Sequence, residues 1–298
     1  MYYSVIDIGS NTVKCEIFEY IENKLVSKGF VSRQLGIIAR IKEGVLPKED
    51  IILLCETLSH FKSECKAYNT LPFCFATESL RKASNLDEIK ENVKQLTDIY
   101  IDLIPGRDEA LLSFKGFIKN TSSYTQGIMA DMGGGSTEIL SYEDSHPIEL
   151  NSFKFGCLWL KKKFVKSRFP SLSEENKIDS FIRKELGAYP WIRSSDTLCI
   201  IGGTGTAIEK LALKCGFEYN GHFTKEGFRS LYEFFRDPSE DKIRLLEEHI
   251  PARVETILPG MCALLTVADI VSPEKIYISK DGIRSGYIYR ILEKEEER

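Results

Sequence analysis

Two segments of the sequence combine an aspartate with a glycine-rich turn. Asp7 and Asp131 each end an apolar stretch, and the turns at 9–12 and 133–137 follow them. Glycine lets backbone N–H groups approach an anion closely, and the hydroxyl groups that follow add further donors. A third turn, at 202–206, lies between a predicted strand and a predicted helix, where the helix N-terminus also favours a phosphate. Together the three turns predict phosphate binding.

Carboxylates lie next to two of these turns. Asp7 and Asp131 end predicted strands, and Glu138 lies on the strand that returns after the second turn. Carboxylates beside phosphate donors suit Mg²⁺, which prefers oxygen ligands and bridges to substrate phosphates. Taken singly, each aspartate also fits the simpler role of capping a turn.

A positioned base and a cation would complete a site for phosphate hydrolysis. Asp108 and Glu109 open a predicted helix, which is also the place where acidic residues stabilise a helix N-terminus. Arg81 follows a predicted buried strand and could bind a phosphate, although a lone arginine is more often a surface charge. The residue types alone therefore allow either a catalytic role or an ordinary structural role for these acids and for Arg81.

Composition restricts the remaining possibilities. The 298-residue chain is 43% hydrophobic and 28% charged, and no apolar run is long enough to cross a bilayer. The start of the chain is typical of a strand and not of a signal peptide, so we predict a cytoplasmic protein with no membrane partner.

Eight dispersed cysteines indicate reduced core residues. The net charge of −4 argues against nucleic acid, and the basic run at 161–168 is a candidate lining for a polyanion or a solvated helix face.

The strand, turn and returning strand around Asp7 recur around Asp131, which predicts two related domains in tandem. Strands alternate with amphipathic helices in both halves, and each half opens with a hairpin. We therefore predict an α/β protein with mixed sheets flanked by helices and a cleft between two lobes. The small polar stretch 120–124 places the boundary between domains 1–122 and 123–298.

In combination and order, the motifs resemble the exopolyphosphatase and guanosine pentaphosphate phosphohydrolase (Ppx/GppA) family of the actin-like (ribonuclease H-like) superfamily. The segments that carry the resemblance are Ile6–Thr12, Ala76–Asn85, Pro105–Ala110, Asp131–Glu138, Gly203–Thr206, Pro251–Glu255 and Ser279–Gly286. The resemblance implies two actin-like domains. It covers nearly the whole chain.

The resemblance also implies roles for individual residues. Glu109 would be the general base, and Asp131 and Glu138, with Asp7, would hold Mg²⁺, which K⁺ often accompanies in the family. The residues expected to bind the phosphate chain are Ser10, Asn11, Arg81, Gly133, Gly134, Gly135, Ser136, Thr137, Gly203, Thr204 and Arg253. A homodimer follows only by analogy with the family.

Two positions depart from the family pattern: Leu111 stands where an arginine is usual, and Ser285 where a glutamate is usual. The chain is also expected to be a short form without the C-terminal helical domains of many relatives, which favours shorter substrates. The sequence predicts an exopolyphosphatase that releases orthophosphate, with guanosine pentaphosphate 5′-phosphohydrolase as the close alternative. A non-catalytic regulator that senses polyphosphate or alarmones, and a sugar kinase or actin-type ATPase on the same fold, are the other readings.

Overall fold

A computed structural model describes residues 1–121 and 125–297. The chain divides into two compact units, Met1–Asn120 together with Ile283–Arg298, and Thr121–Gly282. The predicted boundary after residue 122 falls on residues that lie outside the described ranges. The predicted assignment of 283–298 to the second domain differs from the structure, which places the last helix in the first unit.

The first unit is a five-stranded sheet with helices on both faces. Its elements are β1 (Tyr2–Ile8), β2 (Thr12–Ile21), β3 (Lys24–Gln34), α1 (Ile37–Arg40), α2 (Lys48–Lys66), β4 (Pro72–Ala76), α3 (Glu78–Arg81), α4 (Leu86–Thr97), β5 (Ile101–Leu103) and α5 (Gly106–Asn120). The strand order is β3-β2-β1-β4-β5, with the β1–β2–β3 pairs antiparallel and the β1–β4–β5 pairs parallel.

The second unit repeats this plan. Its elements are β6 (Gly127–Met132), β7 (Thr137–Glu143), β8 (His146–Phe153), α6 (Cys157–Phe164), α7 (Leu172–Leu186), β9 (Thr197–Ile201), α8 (Gly202–Lys214), α9 (Lys225–Phe235), α10 (Glu240–His249), α11 (Ile257–Val271) and β10 (Lys275–Ile278). Read from its other edge, the sheet order is β8-β7-β6-β9-β10, and the pairing again changes from antiparallel to parallel at the central strand. The prediction of mixed sheets in both halves is confirmed.

The last helix, α12 (Ile283–Glu296), packs against α5 and β1 of the first unit. Tyr287, Ile288 and Leu292 of α12 join Val5 and other residues of the sheet in a buried cluster on one face. The other face is covered by α2 and α4 through a separate apolar cluster. Because both faces are covered, β1 is buried along almost its whole length, as expected of a central strand.

One large apolar core fills the second unit, and α11 lies at its centre. Thirteen of the fifteen α11 residues are buried, which explains why this helix has no polar face. None of the helices in the described ranges is long and apolar enough to cross a membrane. Seven of the eight cysteines are buried, as predicted for core residues, and the eighth, Cys215, is partly exposed.

The strands β3 and β8 were not predicted. Both are edge strands, and most of their residues are exposed or only partly buried. A strand with no buried face lacks the alternation of apolar and polar residues that reveals strands in a sequence. Each unit therefore opens with a three-stranded antiparallel sheet, where a two-stranded hairpin was predicted.

Candidate active site

The turn at Gly9–Thr12 connects β1 to β2 in the first unit. The Gly9 N–H donates to the Thr12 carbonyl oxygen at 3.2 Å and closes the turn. The carbonyl oxygens of Ser10 and Asn11 accept hydrogen bonds of 2.8–3.2 Å from backbone N–H groups of residues 35–38, where β3 leads into α1. The segment after the third strand thus fixes the orientation of the turn.

The turn at Gly133–Ser136 is built in the same way in the second unit. The Gly133 N–H donates to the Ser136 carbonyl oxygen at 3.0 Å, and the carbonyl oxygens of Gly133 and Gly134 accept from the N–H groups of residues 157–159 at 3.0 Å. In a trans peptide the N–H points opposite to the C=O. The N–H groups of Gly134 and Gly135 therefore point away from α6, which leaves them oriented as donors to an anion.

Gly156 is the residue that lets α6 approach this turn. A Cβ atom at Gly156 would lie 2.6 Å from the Gly133 carbonyl oxygen and 2.6 Å from the Gly134 carbonyl carbon. These are backbone atoms, which cannot move aside without displacing the turn. Gly156 was not among the site residues predicted from the sequence.

We expect Gly156→Ala to lower the rate of the phosphate hydrolysis predicted from the sequence by about 100-fold, because a shift of about 1 Å in a positioning element has an effect of this size. The measurement is kcat/KM together with the thermal unfolding temperature. Gly187→Ala, at the end of α7, is a matched control, since its Cβ would meet only carbonyl oxygens of its own helix. Equal rates for Gly156→Ala and the control would contradict the prediction.

Asp131 and Glu138 lie side by side in the second sheet. They are direct cross-strand partners in the antiparallel β6–β7 pair, so both side chains lie on the same face. Glu138 pairs in turn with Ser152 on β8, and the Ser152 hydroxyl donates to Glu138 Oε1 at 2.7 Å. The Glu138 residue is only 2% exposed. Two carboxylates placed next to each other favour a cation, because like charges directly opposite are destabilising.

Asp131, Glu138 and Ser152 form a row of cross-strand neighbours in the second sheet, and the equivalent row in the first sheet contains a lysine in place of the glutamate. Asp7 pairs across β1 and β2 with Lys14, and Lys14 pairs with Ser32 on β3. In this row a lysine therefore stands where the second unit has Glu138. Asp7 also lies 3.6 Å from the guanidinium of Arg284, whose Nε donates to Glu16 Oε2 at 2.7 Å. The first row thus contains its own cations.

Arg81 and Glu109 form an ion pair in the first unit. The Nη1 and Nη2 atoms of Arg81 lie 3.2 and 3.3 Å from Glu109 Oε2, and Nη1 also donates to the Ile104 carbonyl oxygen. Arg81 ends α3 and Glu109 lies in the first turn of α5, so the pair joins two helices. The Glu109 side chain is 14% exposed, so it is partly buried and its carboxylate is oriented by the ion pair with Arg81. Sequence reasoning singled out both residues but not their contact.

The third turn begins α8, and Arg253 lies over it. A Cβ atom at Gly203 would lie 2.0 Å from Arg253 Nη2, so the guanidinium occupies the space that glycine leaves there. Thr204 is buried, and its hydroxyl approaches the Met132 carbonyl oxygen at 3.5 Å. Arg253 thus brings a positive charge to a helix N-terminus, a combination that favours an anion.

Thr137 has a local structural partner. Its hydroxyl donates to the Phe155 carbonyl oxygen at 2.7 Å, and the residue is fully buried. The hydroxyl hydrogen is therefore used to hold the segment between β8 and α6.

The basic run at 161–168 is largely occupied by contacts within its own unit. Lys161 donates to the Ser167 carbonyl oxygen, Lys163 Nζ lies 4.4 Å from the centre of the Trp159 ring, and Arg168 lies 2.6 Å from Glu247. The helix α6 ends at Phe164, where Val165 becomes extended, so the second half of the basic run is not helical. These contacts favour a structural role for the run over a lining for polyphosphate.

The cysteines nearest the aspartates are buried thiols. Burial, and then the nearby Asp131 carboxylate, raise the pKa of Cys199, while burial and then Asp7 raise the pKa of Cys74. Both thiols are therefore protonated near neutral pH and are poor nucleophiles. Both thiols are buried and pack as apolar groups in the two sheets.

The two carboxylates of the second unit fit Mg²⁺. Within the described ranges no group of three or more His, Cys, Asp or Glu side chains is placed to hold a metal ion. Mg²⁺ usually keeps several water ligands and takes only one or two carboxylates together with substrate phosphates. That ligand set fits Asp131 and Glu138, which lie on one face of the sheet. They are next to the turn whose N–H groups at Gly134 and Gly135 point away from α6.

The profile of the Ppx/GppA phosphatase family matches residues 34–295. The chain belongs to this family. A guanosine-5′-triphosphate,3′-diphosphate pyrophosphatase of Vibrio vulnificus is 22% identical over 296 residues, which are 97% of this chain and 59% of that protein. A second such enzyme, from Photobacterium profundum, is 22% identical over 303 residues. The Ppx/GppA chain spans about 59% of the length of these curated relatives.

Solved structures of similar proteins share the fold. The Ppx/GppA family member of Aquifex aeolicus superposes with a TM-score of 0.84 at 24% identity, covering 99% of this chain and 98% of that one. An exopolyphosphatase of Cytophaga hutchinsonii superposes with a TM-score of 0.83 at 18% identity, again covering 99% and 98%. The predicted family and the predicted actin-like α/β fold class are both confirmed.

Proposed function

We propose that this Ppx/GppA protein is a phosphohydrolase that releases terminal orthophosphate from inorganic polyphosphate with the help of Mg²⁺. The observation that carries the proposal is the partly buried Glu109 carboxylate, which forms an ion pair with Arg81 at the start of α5. A protein that only binds phosphate does not need an oriented base. Family membership supports phosphatase chemistry.

In this proposal, Glu109 accepts the proton of the attacking water. The Arg81 guanidinium donates to Glu109 Oε2 and so restricts the orientation of the carboxylate that would accept the proton. Arg81 therefore acts first as a positioning residue. The water oxygen bonds to the terminal phosphorus while the bridging P–O bond breaks, and the shortened chain leaves with the electron pair of that bond.

The phosphate oxygens bind to the glycine turns. In the second unit, the backbone N–H groups of Gly134 and Gly135 are the proposed donors to a phosphate. In the first unit, the turn at Ser10 and Asn11 has the same construction and is a second proposed anion-binding turn. Gly203, Thr204 and Arg253 bind a further phosphate of the chain at the α8 N-terminus. Ser136 adds a hydroxyl donor beside the second turn.

Asp131 and Glu138 would hold Mg²⁺. When bound, the ion neutralises charge on the phosphate that is transferred. Asp7 was predicted as a third ligand, but its ion pair with Arg284 and its neighbour Lys14 favour a site formed by the second unit's carboxylates. No residue is assigned to K⁺.

We expect Asp131→Asn to raise the Mg²⁺ concentration needed for half-maximal rate by more than roughly tenfold, and Asp7→Asn to change it much less. The physical reason is that the cross-strand neighbour of Asp131 is a second carboxylate, Glu138, whereas the cross-strand neighbour of Asp7 is a lysine, Lys14. The measurement is the Mg²⁺ dependence of orthophosphate release for both variants. A larger shift in Asp7→Asn would favour Asp7 as a ligand.

Guanosine pentaphosphate is the second candidate substrate. The curated relatives from Vibrio vulnificus and Photobacterium profundum are guanosine-5′-triphosphate,3′-diphosphate pyrophosphatases. Both substrates end in a phosphoanhydride, so the residues above serve either. The cytoplasmic location and the homodimer remain predictions from the sequence and the family.

Orthophosphate release with Mg²⁺ tests the proposal on long polyphosphate, tripolyphosphate and guanosine pentaphosphate. Release from polyphosphate at the highest kcat/KM would support the exopolyphosphatase assignment. Preference for guanosine pentaphosphate would support the second candidate. Binding of these compounds without release would reject both and favour a non-catalytic regulator.

A further inference from the structure

Ser152 contacts a carboxylate that is central to the proposed function. Its hydroxyl donates to Glu138 Oε1 at 2.7 Å, and Glu138 is almost fully buried. Ser152 lies on β8, a strand that sequence analysis did not predict, so this residue was not among the predicted site residues. The contact crosses from one strand to the next within the same row of the sheet.

The register of the sheet determines this contact. Asp131, Glu138 and Ser152 are successive cross-strand partners on β6, β7 and β8, and their side chains therefore lie on one face. Asp131 and Ser152 thus flank Glu138 on opposite sides. The Ser152 hydroxyl donates to one oxygen of the Glu138 carboxylate from the β8 side, which restricts the orientation of that carboxylate beside Asp131.

We propose that Ser152 is a positioning residue that orients the Glu138 carboxylate for Mg²⁺. Hydrogen bonds to a ligating carboxylate orient it and raise the affinity for the metal, and their loss typically weakens metal binding by about 10-fold to 100-fold. The inference deepens the proposed function and rests on Glu138 as a Mg²⁺ ligand. It adds a residue that acts on the metal only through Glu138.

The first unit offers a matched comparison. Ser32 on β3 stands at the position equivalent to Ser152, but its neighbour in the row is Lys14. A serine beside a lysine cannot orient a metal ligand. Ser32→Ala therefore makes the same chemical change at the corresponding place of a related sheet, where no effect on metal binding is expected.

The test measures Mn²⁺ binding to the full chain, since Mn²⁺ takes the same oxygen ligands as Mg²⁺ and is detected by electron paramagnetic resonance. Wild type, Ser152→Ala, Ser152→Thr, Ser32→Ala and Glu138→Gln are titrated with and without inorganic phosphate. We expect Ser152→Ala to weaken binding by about tenfold. Ser152→Thr restores the hydroxyl and should recover most of the affinity, while Ser32→Ala should match wild type.

Thermal unfolding of each variant separates positioning from folding. An unchanged Mn²⁺ affinity in Ser152→Ala would overturn the inference, as would equal losses in Ser152→Ala and Ser32→Ala. Absence of Mn²⁺ binding by wild type, with and without phosphate, would also overturn it. Because the titration needs no turnover, Mn²⁺ binding that depends on Ser152 in a protein without hydrolytic activity would reject the proposed function and leave the inference standing.

Discussion

Glu109→Gln should reduce orthophosphate release by about 10²-fold to 10⁴-fold, the contribution of a positioned general base. The amide keeps the shape of the side chain and cannot accept the proton of the attacking water. It can still accept a hydrogen bond from Arg81 through its oxygen, so α3 and α5 should remain joined. The measurement is kcat on the preferred substrate, together with phosphate affinity by calorimetry.

The neighbouring acid provides the control. Asp108 lies in the same first turn of α5, so Asp108→Asn removes an equal charge from the same helix N-terminus. We expect this variant to keep at least about half of the wild-type rate, since its effect is limited to a helix end. Similar losses in the two variants would show that the charge of the helix terminus, and not a base at Glu109, supports the rate.

Gly286→Ala should destabilise the protein by about 3 kcal/mol, at the upper end of the cost of overpacking. A Cβ atom at Gly286 would lie 1.8 Å from the Leu112 carbonyl oxygen and 3.0 Å from the Gly116 nitrogen. These atoms belong to the backbone of α5, so α12 and α5 would have to move apart. The free energy of unfolding in urea measures the effect.

The sign of the change in unfolding free energy distinguishes a close helix contact at Gly286 from the ordinary effect of glycine to alanine in a helix. In an exposed helix, glycine to alanine stabilises by up to about 1 kcal/mol, so a large loss at Gly286 reports the close helix contact. Gly227→Ala in α9 is the control, since its Cβ would meet only the Thr224 hydroxyl at 3.3 Å. If Gly286→Ala is as stable as the control, α12 does not pack on α5 in this way.

The contact between α5 and α12 also bears on catalysis. Lys115 of α5 forms an ion pair with Glu293 of α12, and the Tyr287 and Leu112 side chains share one apolar cluster. The helix that carries Glu109 is therefore fixed along its length by the last helix of the chain. A variant such as Gly286→Ala should lose activity at temperatures where its secondary structure is still intact, because α5 loses its support before the sheet unfolds.

The local chemistry of the site was largely visible in the sequence. Turns that combine aspartate, glycine and hydroxyl residues predict anion binding wherever they fold, because the donors belong to the same few residues. Those motifs also predicted the family and the α/β class. Glu109 could be named from the motif around it, although the order of residues did not reveal its contact with Arg81.

The sequence was less informative where a residue acts through a distant partner. Ser152 lies on an exposed edge strand with no apolar alternation, and its role follows only from the register that places it beside Glu138. The last helix was predicted at nearly the right place but was assigned to the second domain. Its packing on α5 depends on Gly286, whose close approach to Leu112 is a contact between distant parts of the chain.

The sequence by itself therefore determined the glycine-rich turns, the acidic residues beside them and the family to which the chain belongs, since these depend on residue types and short spacings. Only the tertiary structure decided which charges are neighbours. Asp7 and Asp131 occupy equivalent positions in similar motifs, but the first lies beside Lys14 and Arg284 and the second beside Glu138. Strand register and helix packing decide that difference, because a cation site depends on which side chains lie next to each other on the folded sheet.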